Sequence, residues 1–251
     1  MKDKIFCRNK LLGCLFIITA IFAMLVIIHR MGCYFYEYDP QFSPFDYGRF
    51  NFFSYFTVQS NIMVAVYLLL FSLSLLGVNK ADKPVYNPYV TVFVTVYIIV
   101  TGAVYCCGIP LGFTPPFVWD TAVHAMSSFI QVFHHIIIPP LMIILLFVRK
   151  YSVKFKMKYV GLCGIYPLIY SVFSIIRGAL SNPHFYAYPF YNPMFVYGLF
   201  HHDTIITDSA SREIMKGYFL MLPLLILGIS LFVIICVGVA FIFNKKVKEI
   251  D

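Results

Sequence analysis

The sequence predicts an all-α, polytopic membrane protein with six transmembrane helices and both termini in the cytoplasm. Three observations carry that expectation. Hydrophobic residues make up 61% of the 251-residue chain and charged residues only 12%, and the mean hydropathy is +0.82, outside the range of soluble globular domains. Apolar runs of about the 20 residues a helix needs to cross a bilayer fall at about 11–29, 53–76, 89–109, 129–148, 159–177 and 217–243. Lysine and arginine are also sorted between the connecting segments, as described below. The whole of 1–251 reads as one six-span membrane domain, without an internal repeat or a low-complexity linker.

Each span has its own signature. The first follows a basic segment but is long for a signal-peptide core and lacks a clear small-x-small cleavage site, so it is expected to remain as an anchor. The second carries a polar stripe, with Ser54, Thr57, Ser60 and Asn61 at helical spacing. The third is closed by Cys106 and Cys107; a disulfide from either to Cys33, in the first outer loop, is one possible pairing in an oxidising compartment.

The fourth element carries a second stripe: Asp120, His124, Ser128, Gln131 and His135 step by four, four, three and four, which puts them on one helical face. From Phe117 to Val148 it would measure about 48 Å as a helix against ~30 Å of hydrocarbon. Residues 117–128 are therefore expected at the outer interface, with the span proper starting near Phe129 and with Pro139-Pro140 kinking or breaking it. The fifth span ends at Arg177. The sixth, almost devoid of polar side chains, reads as lipid-facing wall.

With the N-terminus inside, the inner segments hold Lys2, Lys4, Arg8, Lys10, Lys80, Lys83, Arg149, Lys150, Lys154, Lys156, Lys158, Lys245, Lys246 and Lys248, fourteen of the nineteen basic residues. This is the positive-inside bias, and it accounts for the net charge of +8 without any nucleic-acid partner. The run RKYSVKFKMK is expected to anchor the inner interface beside anionic lipid. All seven histidines (His29, His124, His134, His135, His184, His201 and His202) fall in the outer half of this topology.

A polar group in hydrocarbon costs free energy unless it finds a partner or a wet cavity. The two stripes are therefore expected to face each other around a buried polar pocket. A hydroxyl and an imidazole at one depth allow nucleophilic attack on an acyl carbon, with Thr57 and Ser60 both available. Asn61, Gln131 and Arg177 are possible oxyanion donors. The same serines and threonines equally suit helix-to-helix hydrogen bonding.

The segments FFSYFTVQSN, HHIIIPPL and RGALSNPHFYAYPF, in that order across roughly residues 50–195, resemble the androgen-induced integral membrane family and its six-span bacterial relatives. The animal members are intramembrane threonine hydrolases of fatty-acid esters of hydroxy fatty acids, and they use no metal. The resemblance implies Thr57 as nucleophile and His134 or His135 as base, since either precedes a proline by five residues. Helical spacing favours His135. Ser60, Asn61, His124, Gln131, Arg177 and Tyr188 are expected to bind substrate, an ester-linked lipid drawn from the bilayer. The setting implied is a bacterial plasma membrane, with the site toward the non-cytoplasmic side and no cofactor. The surroundings of Thr57 and the presence of Arg177 depart from the animal pattern, so the animal substrate does not transfer.

Two other readings stand beside this one. A non-catalytic membrane protein binding lipid or a partner would need the same helices. A metal-dependent membrane hydrolase would draw ligands from His124, His135, His201, His202, Asp120 and Asp203, although no HExxH motif is present.

Overall fold

The computed structural model describes residues 2–36, 48–110, 116–148, 151–181, 185–200 and 211–247. Nine α-helices are present among these residues: α1 (Lys2–Tyr36), α2 (Phe56–Leu75), α3 (Asn79–Val85), α4 (Pro88–Gly108), α5 (Ala122–Val132), α6 (Ile138–Val148), α7 (Ile165–Leu180), α8 (Pro193–Phe200) and α9 (Ser211–Lys246). Six helical stretches are long and apolar enough to cross a membrane: Lys10–Cys33, Phe56–Leu75, Pro88–Gly108, Ala122–Val148, Met157–Leu180 and Ile214–Lys246. The chain is an all-α integral membrane protein of six spans. His184, His201, His202 and Asp203 lie outside the described residues, as do the basic Arg149, Lys150 and Lys248.

In lipid, apolar surface gives no net drive for helices to associate, so close packing and interhelical hydrogen bonds do that work. α1 packs along α2, where Phe16 meets Phe71 edge-on at 5.6 Å. α2 is bonded to α4 at two levels, by Tyr67 Oη with Thr91 Oγ1 at 3.0 Å and by Ser60 Oγ with Thr101 Oγ1 at 2.9 Å. α4 in turn reaches the start of the fifth span, where the Tyr97 hydroxyl donates to the Cys163 carbonyl at 3.2 Å. α9 turns a row of large side chains outward, including Phe219, Ile226, Leu227 and Ile234. Only 17% of its most apolar window is buried, as its sequence predicts for a lipid-facing wall.

The two ends of the bundle differ. At the lysine-rich end the side-chain amide of Asn244 accepts from the Phe155 N–H at 2.8 Å and donates to the Phe155 carbonyl at 3.0 Å, tying the connection before α7 to the last turn of α9. α4 starts beside it with Asn87 as N-cap, accepting from the N–H groups of Tyr89 and Val90, and with Pro88 in the first turn. The opposite end is built from aromatic and hydroxyl side chains and contains the residues singled out above.

The fourth span is helical from Ala122 to Val148, and Pro139-Pro140 disturb that helix without ending it. A single π-helical turn, Phe133–Ile137, joins α5 to α6 into one 27-residue span. The physical reason lies in the prolines. A proline lacks the N–H that would bond the carbonyl four residues back, and its ring collides with that carbonyl. Pro139 and Pro140 stand four residues after His135 and Ile136, and the wider π turn is the local relief that keeps the helix continuous.

The displaced His135 carbonyl lies against α4 at Gly102, where a Cβ would sit only 2.6 Å from that oxygen and 2.8 Å from the Pro139 ring. Glycine at 102 is what lets the two helices approach this closely.

Candidate functional site

The first turn of any helix leaves backbone N–H groups without intrahelical acceptors. At α2 the N-cap residue, Tyr55, supplies no side-chain hydrogen bond. Phenols from elsewhere in the chain fill the gap. The Tyr170 hydroxyl, from α7, accepts from the Phe56 N–H at 3.2 Å and donates to the Ser54 carbonyl at 2.7 Å. The Tyr188 hydroxyl accepts from the Thr57 N–H at 3.1 Å and lies 3.5 Å from Thr57 Oγ1. The Tyr166 hydroxyl bonds the Gln59 side chain, and the Tyr191 hydroxyl pairs with Ser171 at 2.8 Å. Arg177 donates to the Ser54 hydroxyl while its guanidinium lies 4.7 Å above the Phe185 ring. Burial pushes the phenols of Tyr188 and Tyr191 above the ordinary tyrosine range, so both remain neutral donors.

Below this cap the α2 stripe turns inward. Asn61 Nδ2 donates to the Thr57 carbonyl at 2.8 Å, and Ser60 Oγ reaches the same carbonyl at 3.1 Å while bonding Thr101. Ser60 and Asn61 are buried and Thr57 is half-buried. Six of the residues predicted from sequence (Ser54, Thr57, Ser60, Asn61, Arg177 and Tyr188) therefore belong to one hydrogen-bonded cluster.

The histidines sit on either side of the π turn. His135 stacks flat on Tyr105 of α4, with ring centroids 3.9 Å apart and planes within 6°, and the Thr101 backbone approaches its ring. His134 faces α1, where the Ala23 backbone approaches it, and it packs against Phe133. Both are buried, and neither His135 Nδ1 nor His134 Nε2 has a hydrogen-bond partner.

The rest of the fourth-span stripe is spread out. Ser128 is buried and bonds the backbone of Val118, accepting from its N–H at 2.8 Å and donating to its carbonyl at 2.7 Å, which folds the preceding segment back onto α5. Gln131 is half-buried one turn before His135. His124 is exposed and bonded to Asp120 at 2.6 Å, a contact that holds the Asp120 carboxyl below the usual carboxylate range. No hydrogen bond joins Thr57 to either histidine; the two stripes are linked through α4, by way of Thr101.

Thr101, Tyr105, Tyr166, Tyr170 and Gly102 are the members of this site that spacing did not reveal. Tyr166 and Tyr170 fall at i, i+4 on α7, a signal the sequence does contain. The third span offers less, because its hydroxyl side chains, Thr91, Thr95 and Thr101, also bond back to their own helix.

Among the described residues no three His, Cys, Asp or Glu side chains converge as metal ligands. Cys33, Cys106 and Cys107 are free thiols, and Cys33 Sγ lies 3.6 Å from His29 Nε2. Fold and site together define a six-span α-helical membrane protein with a buried cluster of hydroxyl, phenol and imidazole groups at one end. No protein-family model, curated protein or solved structure matches this chain.

Proposed function

We propose that the protein is an intramembrane hydrolase of an ester-linked lipid, with Thr57 as nucleophile and His135, or its neighbour His134, as base. One observation carries this reading. Two buried imidazoles each keep an unpartnered ring nitrogen, and one of them, His135, lies beside Thr101, whose hydroxyl bonds Ser60 of the hydroxyl cluster. A buried polar atom without a partner is costly, and it persists where a substrate or a water completes it.

In the reaction, the imidazole takes the Thr57 Oγ proton as Oγ bonds to the acyl carbon. The protonated ring then returns that proton to the departing alcohol. Water, deprotonated by the same ring, cleaves the acyl-threonine and frees the acid. The Thr57 hydroxyl and His135 are not in direct contact, so the proton travels through a water held between them. Tyr188 and Arg177 supply donors for the developing oxyanion, and Asn61 fixes the Thr57 turn. Gln131 and His124 would meet the substrate nearer the interface. By the distribution of lysine, both termini are cytoplasmic and the site faces the other side. By resemblance, the membrane is a bacterial plasma membrane.

A non-catalytic lipid-binding role has its own supporting observation. An apolar groove of about 540 Å³ runs between α1 and α5, lined by Phe22, Leu25, Val26, Trp119, Met126 and Phe129 among others. It would take an acyl chain with or without chemistry.

Labelling with a fluorophosphonate probe separates the two. The hydrolase reading expects covalent labelling of the detergent-purified protein that is lost in Thr57→Ala and kept in Ser60→Ala, with or without chelator. No labelling of the folded wild type, or labelling that survives Thr57→Ala, would leave the lipid-binding reading in its place.

A further inference from the structure

We propose that Cys33 is an S-acylation site: its thiol takes a long-chain acyl group from an acyl thioester, with His29 as base, and the chain then lies in the groove between α1 and α5. Neither residue belongs to the Thr57 cluster, so the site stands apart from the hydrolase reading, and a covalent bond takes it beyond lipid binding. A thiol one helical turn from an imidazole is a minimal arrangement for nucleophilic attack on an acyl carbon. Cys33 Sγ lies 3.6 Å from His29 Nε2, near the C-terminal end of α1. Cys33 is half-buried and His29 exposed, so a donor at the membrane interface reaches both.

The groove is a separate observation, and it names the ligand. His29 is itself one of its lining residues, and the one ionisable side chain among those described there. Inward along α1 from Cys33, the lining positions His29, Val26, Leu25 and Phe22 lie four, seven, eight and eleven residues back, which is one continuous helical face. Opposite them α5 presents Ala122, Ala125 and Met126, two small side chains and one flexible one. Phe22 closes the inner end, edge-on to Phe133 at 4.9 Å and to Phe129 at 6.2 Å.

From Cys33 to Phe22 this face is about 16 Å long, close to half of the ~30 Å hydrocarbon layer and so to the length of one membrane acyl chain. Cys33 is the last residue of the first span, so a thioester there sits at the interface with its chain running toward the bilayer centre. Among lipids an apolar groove gains little by exchanging one hydrocarbon chain for another; the covalent bond is what holds a particular chain in place. The step is a thioester exchange. The Cys33 sulfur bonds to the acyl carbon as its proton passes to His29 Nε2, the donor's C–S bond breaks, and the departing thiolate takes the proton from the imidazolium. One thioester forms for one consumed.

The test incubates the full-length protein in nanodiscs with palmitoyl-coenzyme A and reads its intact mass before and after hydroxylamine, which cleaves thioesters. The wild type is expected to gain one hydroxylamine-labile acyl group, absent in Cys33→Ser and formed about a hundredfold more slowly in His29→Gln. Acetyl-coenzyme A, whose chain is too short to enter the groove, should react about tenfold more slowly. Ala125→Phe, which narrows the groove, should slow palmitoyl transfer and leave acetyl transfer unchanged. No acylation of the folded wild type, acylation that survives Cys33→Ser, or equal modification of the exposed thiols Cys14, Cys106 and Cys107 overturns the site. An unchanged rate in His29→Gln overturns the base, and equal palmitoyl and acetyl rates overturn the groove as the seat of the chain.

Discussion

The two polar stripes answer the same difficulty in different ways. Along α2 the exposed backbone of the first turn and the side chains behind it are knitted into bonds with Tyr170, Tyr188, Thr101 and Arg177. On the fourth span the two histidines are just as deeply placed but are packed mainly against rings, and each keeps one ring nitrogen unbonded. A satisfied network rigidifies a fold, whereas an unsatisfied buried group marks a place where stability has been given up. On the proposed reading, the difference teaches that the first stripe positions the site and the second is the part left open for chemistry.

The sharpest way to break this arrangement is at the helix contact that seats His135. Gly102→Ala places a methyl 2.6 Å from the His135 carbonyl and 2.8 Å from Pro139, both parts of rigid backbone or ring. It is expected to cost about 3 kcal/mol, read as a large fall in the midpoint of thermal unfolding in detergent. Gly161→Ala, where a Cβ meets nothing within 4 Å, should leave that midpoint unchanged.

A smaller effect tests the phenol cap. Tyr170→Phe keeps the ring packing but orphans the Phe56 N–H and the Ser54 carbonyl. It should cost about 1–2 kcal/mol, with faster amide exchange confined to the first turn of α2. Unchanged exchange there would show that water replaces the phenol and that the cap is dispensable.

The six spans were legible in the sequence because the bilayer imposes a length and a composition on every crossing helix, and the runs that meet both are the ones that fold so. The α2 stripe was legible for a similar reason: helical period puts Thr57, Ser60 and Asn61 on one face, and that face is the one turned inward. The fourth stripe was legible only in part. Period placed His124 and Asp120 in line with His135, but the helix starts early enough to leave both at the exposed end, paired with each other.

The π turn was hidden because spacing arguments assume a constant 3.6-residue period, which two successive prolines disturb. Tyr170 and Tyr188 reach α2 from 114 and 131 residues away in sequence, and no local pattern announces a partner at that distance. No hydrogen bond joins His135 to Thr57; α4 stands between them, with its Thr101 bonded to Ser60.

The most direct test of the central claim, that the fourth-span histidine trades stability for chemistry, is His135→Phe. Phenylalanine preserves the flat stack on Tyr105 and removes the unpartnered nitrogen. Thermal unfolding and hydrolysis of a fluorogenic long-chain acyl ester would be measured on the same nanodisc preparation. The account predicts an unfolding midpoint equal to or above that of the wild type, any change staying within about 1 kcal/mol, together with loss of hydrolysis. Hydrolysis retained in this variant, or a folded state lost along with it, would contradict the account.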